Sequence, residues 1–241
     1  MKEARYFYVP QATERTELPA DEAVHALRVL RLQSGDELFL MDGTGHFYRA
    51  EVTATSSKHC QYSILETITP PKEWVGHIHL AIAPTKMMER IEWMAEKATE
   101  VGFDELTFVN CKFSERKVIN TARVDRIVVS AVKQSRKPYK PVVNDQVSFR
   151  DFVQAPRTGR KFIAHCYDEI ARSDLFGQLG QMGGGDDVTV MVGPEGDFSV
   201  DEVKLAMQHG FEPVSLGNFR LRTETAGLMA VTMAQLAFRK K

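Results

Sequence analysis

Val188 to Ser199, which reads VTVMVGPEGDFS, is the stretch on which the fold turns. VTVMV is a short apolar run of the kind that forms a buried strand. It leads straight into a loop with two glycines, Gly193 and Gly196, where the backbone can bend sharply and approach a ligand closely. Ser199 and Glu202 then form an S-x-x-E capping box that opens a helix, and Gly210 closes it. Strand, glycine loop and helix N-terminus make one βα unit, and in open α/β sheets ligands lie beyond the carboxyl ends of the strands.

The same texture extends outward. Downstream, Pro213 to Leu216 is a strand, Leu216 to Ala226 (LGNFRLRTETA) a second glycine-bearing loop, and Thr223 to Phe238 a final helix, apolar over most of its circumference. Upstream, Phe162 to Cys166 is a strand followed by Tyr167-Asp168-Glu169. Val75 to Pro84 and Leu106 to Asn110 are further strands. Met87, Ile91, Met94, Ala95, Ala98 and Val101 recur at helical spacing until Gly102, and Val124 to Val132 marks another amphipathic helix. Alternation of this kind predicts an α/β domain, a mostly parallel sheet covered on both faces. The first 70 residues differ. Asp36 to Met41 alternates, Asp42-Gly43-Thr44-Gly45 has hairpin chemistry, and His46 to Thr53 and Cys60 to Thr67 supply returning strands. A helix-like piece, Asp21 to Arg31, precedes them. Thr69-Pro70-Pro71-Lys72 is the expected linker, so the predicted domains are 1–72 and 73–241.

Composition bounds the function. The 241 residues carry 31 Lys+Arg against 32 Asp+Glu, with 43% hydrophobic and 26% charged residues, an ordinary globular balance. Three scattered cysteines, Cys60, Cys111 and Cys166, exclude a disulfide framework and a CxxC knuckle and fit a reducing compartment. MKEARYFYVP offers no apolar run for a signal peptide, and no stretch is long and apolar enough for a membrane helix. A soluble cytoplasmic protein is the expectation. The charge is uneven: Lys112 to Lys140 holds nine bases and two acids. That is the pattern of a polyanion footprint or of a solvated basic face.

Several chemistries are excluded by their missing motifs. There is no P-loop, no G-x-G-x-x-G after a strand, no H-E-x-x-H and no G-x-S-x-G elbow. His77 and His79 alternate on one strand but have no third ligand near them in sequence, so no metal is expected. Met87, Met88 and Met94 read as core filler. Two glycine-bearing loops in neighbouring βα units indicate a shared ligand crevice.

GPEGDFS, followed by LGNFRLRTETA, resembles the signature pair of the SPOUT methyltransferases of the ribosomal RNA small subunit methyltransferase E family. RYFYVP, HALRVLRLQSGDELFLMDGTG, EKATEVG and Gln134-Ser135-Arg136 stand in the family's order, so the resemblance spans the chain. It implies a small PUA-like β-barrel domain that grips RNA, followed by a parallel-sheet domain with a C-terminal trefoil knot. The implied reaction is methylation of N3 of a specific uridine in 16S rRNA of the small ribosomal subunit, with S-adenosyl-L-methionine as cofactor. Cofactor binding is implied for His165, Gly193, Pro194, Glu195, Gly196, Leu216, Gly217, Leu221, Arg222, Thr223, Thr225 and Ala226. Family members are homodimers packed across the knot. The nearly all-apolar last helix (Leu228, Met229, Val231, Met233, Leu236, Phe238) independently indicates a second buried face.

Arg222 is the expected catalytic cation beside the uracil oxygens, being a rigid multi-donor fork. Glu195 or Glu224 is the candidate proton acceptor, although a first-turn acid such as Glu224 equally serves helix stability. Arg136, with Lys133, is expected at the target nucleotide or its phosphate. Arg5, Arg28 and Arg31 complete the RNA-binding set on the N-terminal domain. The family commonly has glycine where Asp197 stands and proline where Asn218 stands. Asp and Asn tolerate left-handed backbone best among the other residues, so both loops are expected to keep their shape. Two readings stay open beside this one: a tRNA-directed SPOUT methyltransferase, and a non-catalytic ribosome-assembly factor that binds RNA.

Overall fold

The computed structural model describes residues 5–183 and 185–240, so the first four residues of the N-terminal stretch lie outside it. The chain divides into two compact units, residues 1–72 with 129–140, and residues 73–128 with 141–241.

In the N-terminal unit, β1 (Tyr6–Tyr8) pairs in parallel with β2 (Glu37–Met41). Antiparallel pairing then adds β3 (Phe47–Thr55) and β4 (Cys60–Ile68). Residues 16–18 continue the pairing along β4, with Leu18 N–H donating to Cys60 O and Tyr62 N–H to Thr16 O. Alternation along the strands sends Phe7, Leu38, Leu40, Tyr48, Ala50, Val52, Cys60 and Tyr62 into one core. The helix expected over 21–31 is only one turn of α-helix, α1 (Ala20–Val24). It widens into a π-helical turn over His25–Val29 and ends at Arg31, whose φ is +53°. The β2–β3 turn is an Asx-turn in which Asp42 accepts from Thr44 N–H at 2.8 Å. Gly45, at φ +112°, holds a backbone that other residues rarely adopt, and a Cβ there would lie 2.7 Å from the Tyr139 ring. That close approach, with Lys140 N–H bonded to Gly43 O at 2.9 Å, shows why residues 129–140 group with this unit and not with the flanking sequence.

The second unit alternates as its sequence predicts. Its elements are β5 (Ile78–Ile82), α2 (Met88–Val101), β6 (Glu105–Asn110), α3 (Thr121–Ser135, of which 121–128 belong here), β7 (Val142–Val143), β8 (Val147–Ser148) and α4 (Phe149–Gln154). Then come β9 (Arg160–Ala164), β10 (Ser173–Asp174), α5 (Leu175–Gly180), β11 (Val188–Val192), α6 (Val200–Gln208), β12 (Phe211–Ser215) and α7 (Thr223–Phe238). Among the described residues the strands pair in parallel throughout, in the order β10-β12-β9-β11-β5-β6-β7, with β8 beside β6. Every residue of β5 and β11 is buried, as a sheet covered on both faces requires. One face packs Phe149, Phe152, Phe198, Val203 and Phe211. Across the other, α7 lies on β5, β11 and α2. Gly227 permits that approach, since a Cβ there would sit 2.8 Å from Ile82 Cδ1. The short elements β7, β8, α4, β10 and α5 were not legible in the periodicity. Among the described residues no helix is long and apolar enough to cross a membrane.

Candidate active site

A cavity of about 900 Å³ opens at the carboxyl ends of β9, β11 and β12, walled by the loops that follow them. This is a size and place typical of small-molecule sites in parallel sheets.

The loop after β11 is held tightly. Gly193 packs so closely on Phe198 that a Cβ would lie 3.0 Å from its ring, and Phe198 is fully buried. Ser199 and Glu202 form both bonds of the capping box, and Glu202 also accepts from Lys112 N–H at 2.7 Å. Asp197 sits at φ +66°, the left-handed backbone expected of it. Its carboxylate accepts from Cys166 N–H at 2.8 Å and from Phe198 N–H at 2.7 Å, which ties this loop to the one after β9. Asn218, in contrast, needs no left-handed backbone; Gly217 takes the positive φ of +124° instead.

Among the described residues, two buried polar atoms on the cavity lining have no partner. Glu195 accepts from Lys86 N–H at 2.9 Å through one carboxylate oxygen, and its other oxygen is unbonded. Burial lowers the His165 pKa from its ordinary value and so favours the neutral ring. Its Nδ1 accepts from Tyr167 N–H at 3.2 Å, which places the ring proton on Nε2, the atom without a partner. The site thus offers one unused donor and one unused acceptor, and buried polar groups are seldom left so.

The third wall is open. Residues 217–220 are exposed, and Arg222, the N-cap of α7, lines the cavity with its guanidinium unpartnered among the described residues. Of the residues expected here, His165, Gly193, Pro194, Glu195, Leu216, Gly217, Leu221, Arg222, Thr223 and Ala226 line the cavity. Gly196 lies against Phe113 instead. Thr225 and Glu224 face a smaller neighbouring recess with Glu89, Arg90 and Trp93. There Glu224 is buried 3.7 Å from Arg90, with one oxygen unbonded. Cys166, Ile170, Ala171 and Arg172 were missed. They belong to an irregular loop whose only sequence signal was its place after a strand. Arg172 braces that loop through His165 O and Asp168, at 2.8 and 2.9 Å.

Arg5, Arg28, Arg31, Lys133 and Arg136 all fall within the N-terminal unit, the last two through segment 129–140. Arg28 and Arg31 are exposed. Lys133 is spent on a 2.5 Å ion pair with buried Glu22, and Arg136, at φ +52°, stacks its guanidinium 5.2 Å from the Tyr6 ring. The basic run 112–140 is therefore not one free surface. Arg116 is turned onto the carbonyls of Thr85 and Lys86, and Arg123 pairs with Glu92. His77 and His79 each have a hydrogen bond of their own, to Glu105 at 2.9 Å and to Thr107 at 2.8 Å.

Residues 72–235 match the model of an RNA methyltransferase domain, and residues 18–65 that of an RNA methyltransferase PUA domain. The ribosomal RNA small subunit methyltransferase E of Synechocystis is 31% identical over 227 residues, covering 92% of this chain and 73% of that protein. The chain belongs to the ribosomal RNA small subunit methyltransferase E family. Among solved relatives, the probable rRNA-methyltransferase of Porphyromonas gingivalis is 41% identical with a TM-score of 0.90, covering 97% of this chain and 98% of that one. The family member from Neisseria gonorrhoeae, solved bound to S-adenosyl methionine, is 27% identical with a TM-score of 0.81, covering 98% of both chains.

Proposed function

We propose that this protein methylates N3 of one uridine in the 16S rRNA of the small ribosomal subunit, using S-adenosyl-L-methionine bound in the cavity. The observation that carries this reading is the pair of buried, unpartnered polar atoms there: the His165 Nε2 donor and the free Glu195 oxygen. A cofactor with amino-acid and nucleoside functions supplies an acceptor for His165 Nε2, the uridine N3–H supplies a donor for the free Glu195 oxygen, and the open space beside Gly217 admits the cofactor closely. The residues present therefore fit this cofactor. When bound it supplies an electrophilic methyl group on a positively charged sulfur.

The protein's own task is to present uridine N3 without its proton and in line with that methyl group. The Arg222 guanidinium lies beside the uracil oxygens and stabilises the anion left when the proton departs. Glu195 takes the proton through its unbonded oxygen, while Lys86 N–H fixes the other. Glu224 positions Arg90 at the adjoining recess. His165, Gly193, Pro194, Leu216, Gly217, Leu221, Thr223 and Ala226 bound the cofactor space and exclude water, with Gly196 and Thr225 behind its walls. Orienting the reactants in this way is worth several kcal/mol, up to about 7–11 in the best intramolecular cases. On the N-terminal unit Arg5, Arg28, Arg31 and Arg136 meet RNA phosphates, which orient without reading sequence; Lys133 supports them through Glu22.

The same reading includes a trefoil knot, a homodimer and a cytoplasmic setting. The insertion of β11 between β9 and β5, and the return of the chain from β12 to lay α7 on β5, support the knot. An outward stripe on α7, Thr225, Leu228, Met229, Thr232, Met233 and half-exposed Leu236, supports a second copy on that face. The test is transfer of labelled methyl to 30S subunits, naked 16S rRNA and tRNA side by side, with the nucleoside identified by mass spectrometry. 3-Methyluridine in the subunit or its rRNA is the expected product. Label in tRNA, or none from folded protein, overturns the reading.

A further inference from the structure

Two phenylalanines stand out into solvent from loops at the carboxyl edge of the parallel sheet. Phe219 is 88% exposed at the rim of the cavity, between Asn218 and Arg220 and close in sequence to Arg222. Phe113, 46% exposed, follows Lys112, whose ammonium lies 5.7 Å from the ring centroid.

The Phe113 loop is anchored: Ser114 Oγ accepts from Cys111 N–H at 3.0 Å, and Arg116 Nε donates to Thr85 O at 3.0 Å. Phe113 also backs onto Gly196 of the cavity loop, where a Cβ would come within 3.3 Å of it. Phe219 follows β12 and Phe113 follows β6, four strand spacings apart in the order β12-β9-β11-β5-β6. That separation is ~19 Å, and the loop Gly193–Asp197 lies between.

Burying apolar surface is favourable, so a nearly fully exposed phenylalanine gains much from a planar partner. A protein partner requires a contiguous apolar patch, whereas these rings stand among charged residues, Arg220 and Arg222 near one, Lys112, Glu115 and Lys117 near the other. An exposed ring with a neighbouring cation fits an unpaired nucleobase and its phosphate. We propose that Phe219 with Arg220, and Phe113 with Lys112, are two stacking posts for single-stranded RNA, holding unpaired bases on either side of the nucleotide that enters the cavity. This rests on the RNA methyltransferase reading above.

The test uses the full chain with a labelled unpaired oligoribonucleotide and a duplex of equal length as probes. Phe219→Ala and Phe113→Ala are each expected to weaken single-strand binding roughly 5- to 100-fold, with duplex binding and melting temperature little changed. Phe219→Trp is expected to restore affinity, with its fluorescence quenched on binding. Single-strand affinities within twofold of wild type for both alanine variants overturn the proposal. So does a change in the sedimentation of the free protein on Phe219→Ala, which would mean that a second copy covers the ring. Calorimetric binding of S-adenosylmethionine to the wild type is measured in parallel. Its absence removes the functional reading itself, whereas its presence with unaffected RNA binding removes only the stacking posts.

Discussion

The two sides of the cavity are built on opposite principles. The loop after β11 is pinned by a capping box, by the Asp197 carboxylate and by a glycine packed against a buried ring. The loop after β12 has residues 217–220 in solvent and ends on an arginine that has no partner among the described residues. A pinned wall holds its groups in place before any ligand arrives, which is what cofactor binding needs. An open wall keeps its cations and its ring available to a large substrate. On the proposed reading the pinned wall serves the cofactor together with Leu216, Gly217 and Leu221 of the second loop. That loop's exposed Phe219, Arg220 and Arg222 serve RNA, and substitutions on each set should separate the two tasks.

Arg222→Ala is the most damaging change expected. Removing a donor to the developing anion costs about 2.7–4 kcal/mol of barrier, or roughly 10²–10³ in turnover. Because Arg222 is exposed and makes no side-chain cap, the melting temperature should stay within a degree or two of wild type. Methyl transfer and a thermal melt on one preparation decide it. Near-normal turnover would take the catalytic role away from the open wall.

Acid acts on a third region, the start of β5 and β6, away from both walls. Burial pulls the His79 pKa from 6.5 down to about 4. Between those values the unfolded chain binds a proton that the folded chain refuses, so stability falls as the pH drops through that window. The difference is about 3 kcal/mol. Glu105 is held down from 4.5 to about 2, chiefly by its hydrogen bond to His77, and adds a further loss below pH 4.5. His77 has the opposite sign: that same bond raises its pKa, and its contribution fades as the pH rises through the folded value. Denaturant melts from pH 7 to 4.5 should show the decline, and His79→Gln should flatten it. An unchanged slope in the variant would mean that another group refuses the proton.

Most of the parallel sheet was legible because its signals are local: VTVMV, the Ser199–Glu202 box and Gly102 each specify strand, start or stop without tertiary help. What was not legible depends on residues far apart in sequence. Nothing near Lys133 announces Glu22 as its partner, and nothing in 129–140 announces that Tyr139 and Lys140 close on the Gly43–Gly45 turn. The π-helical turn at His25–Val29 was not legible either, because a regular 3.6-residue spacing carries no mark of where the backbone widens. For the cavity, the glycine loops were visible as turn chemistry. The braced loop 165–172 was not, since Arg172 acts by folding back on His165 O and Asp168.

The smaller effects test how much the pinned wall owes to single groups. Asp197→Gly keeps the left-handed backbone at no steric cost but loses both carboxylate hydrogen bonds, including the one to Cys166 N–H. Bonds to a charged acceptor are worth about 1.5–3 kcal/mol, and the relieved backbone strain returns part of that. A net loss of about 1–2 kcal/mol is expected, seen as weaker S-adenosylmethionine binding with single-strand RNA binding unchanged. Ser199→Ala removes one half of the capping box, at a cost of about 1 kcal/mol, and should lower the melting temperature by about 2–4 °C. Glu202 still accepts from Lys112 N–H in that variant, so the loop after β11 keeps its anchor and cofactor affinity should hold. If Ser199→Ala weakened cofactor binding more than Asp197→Gly did, the rigidity of this wall would come from the helix behind it and not from the tie between its loops.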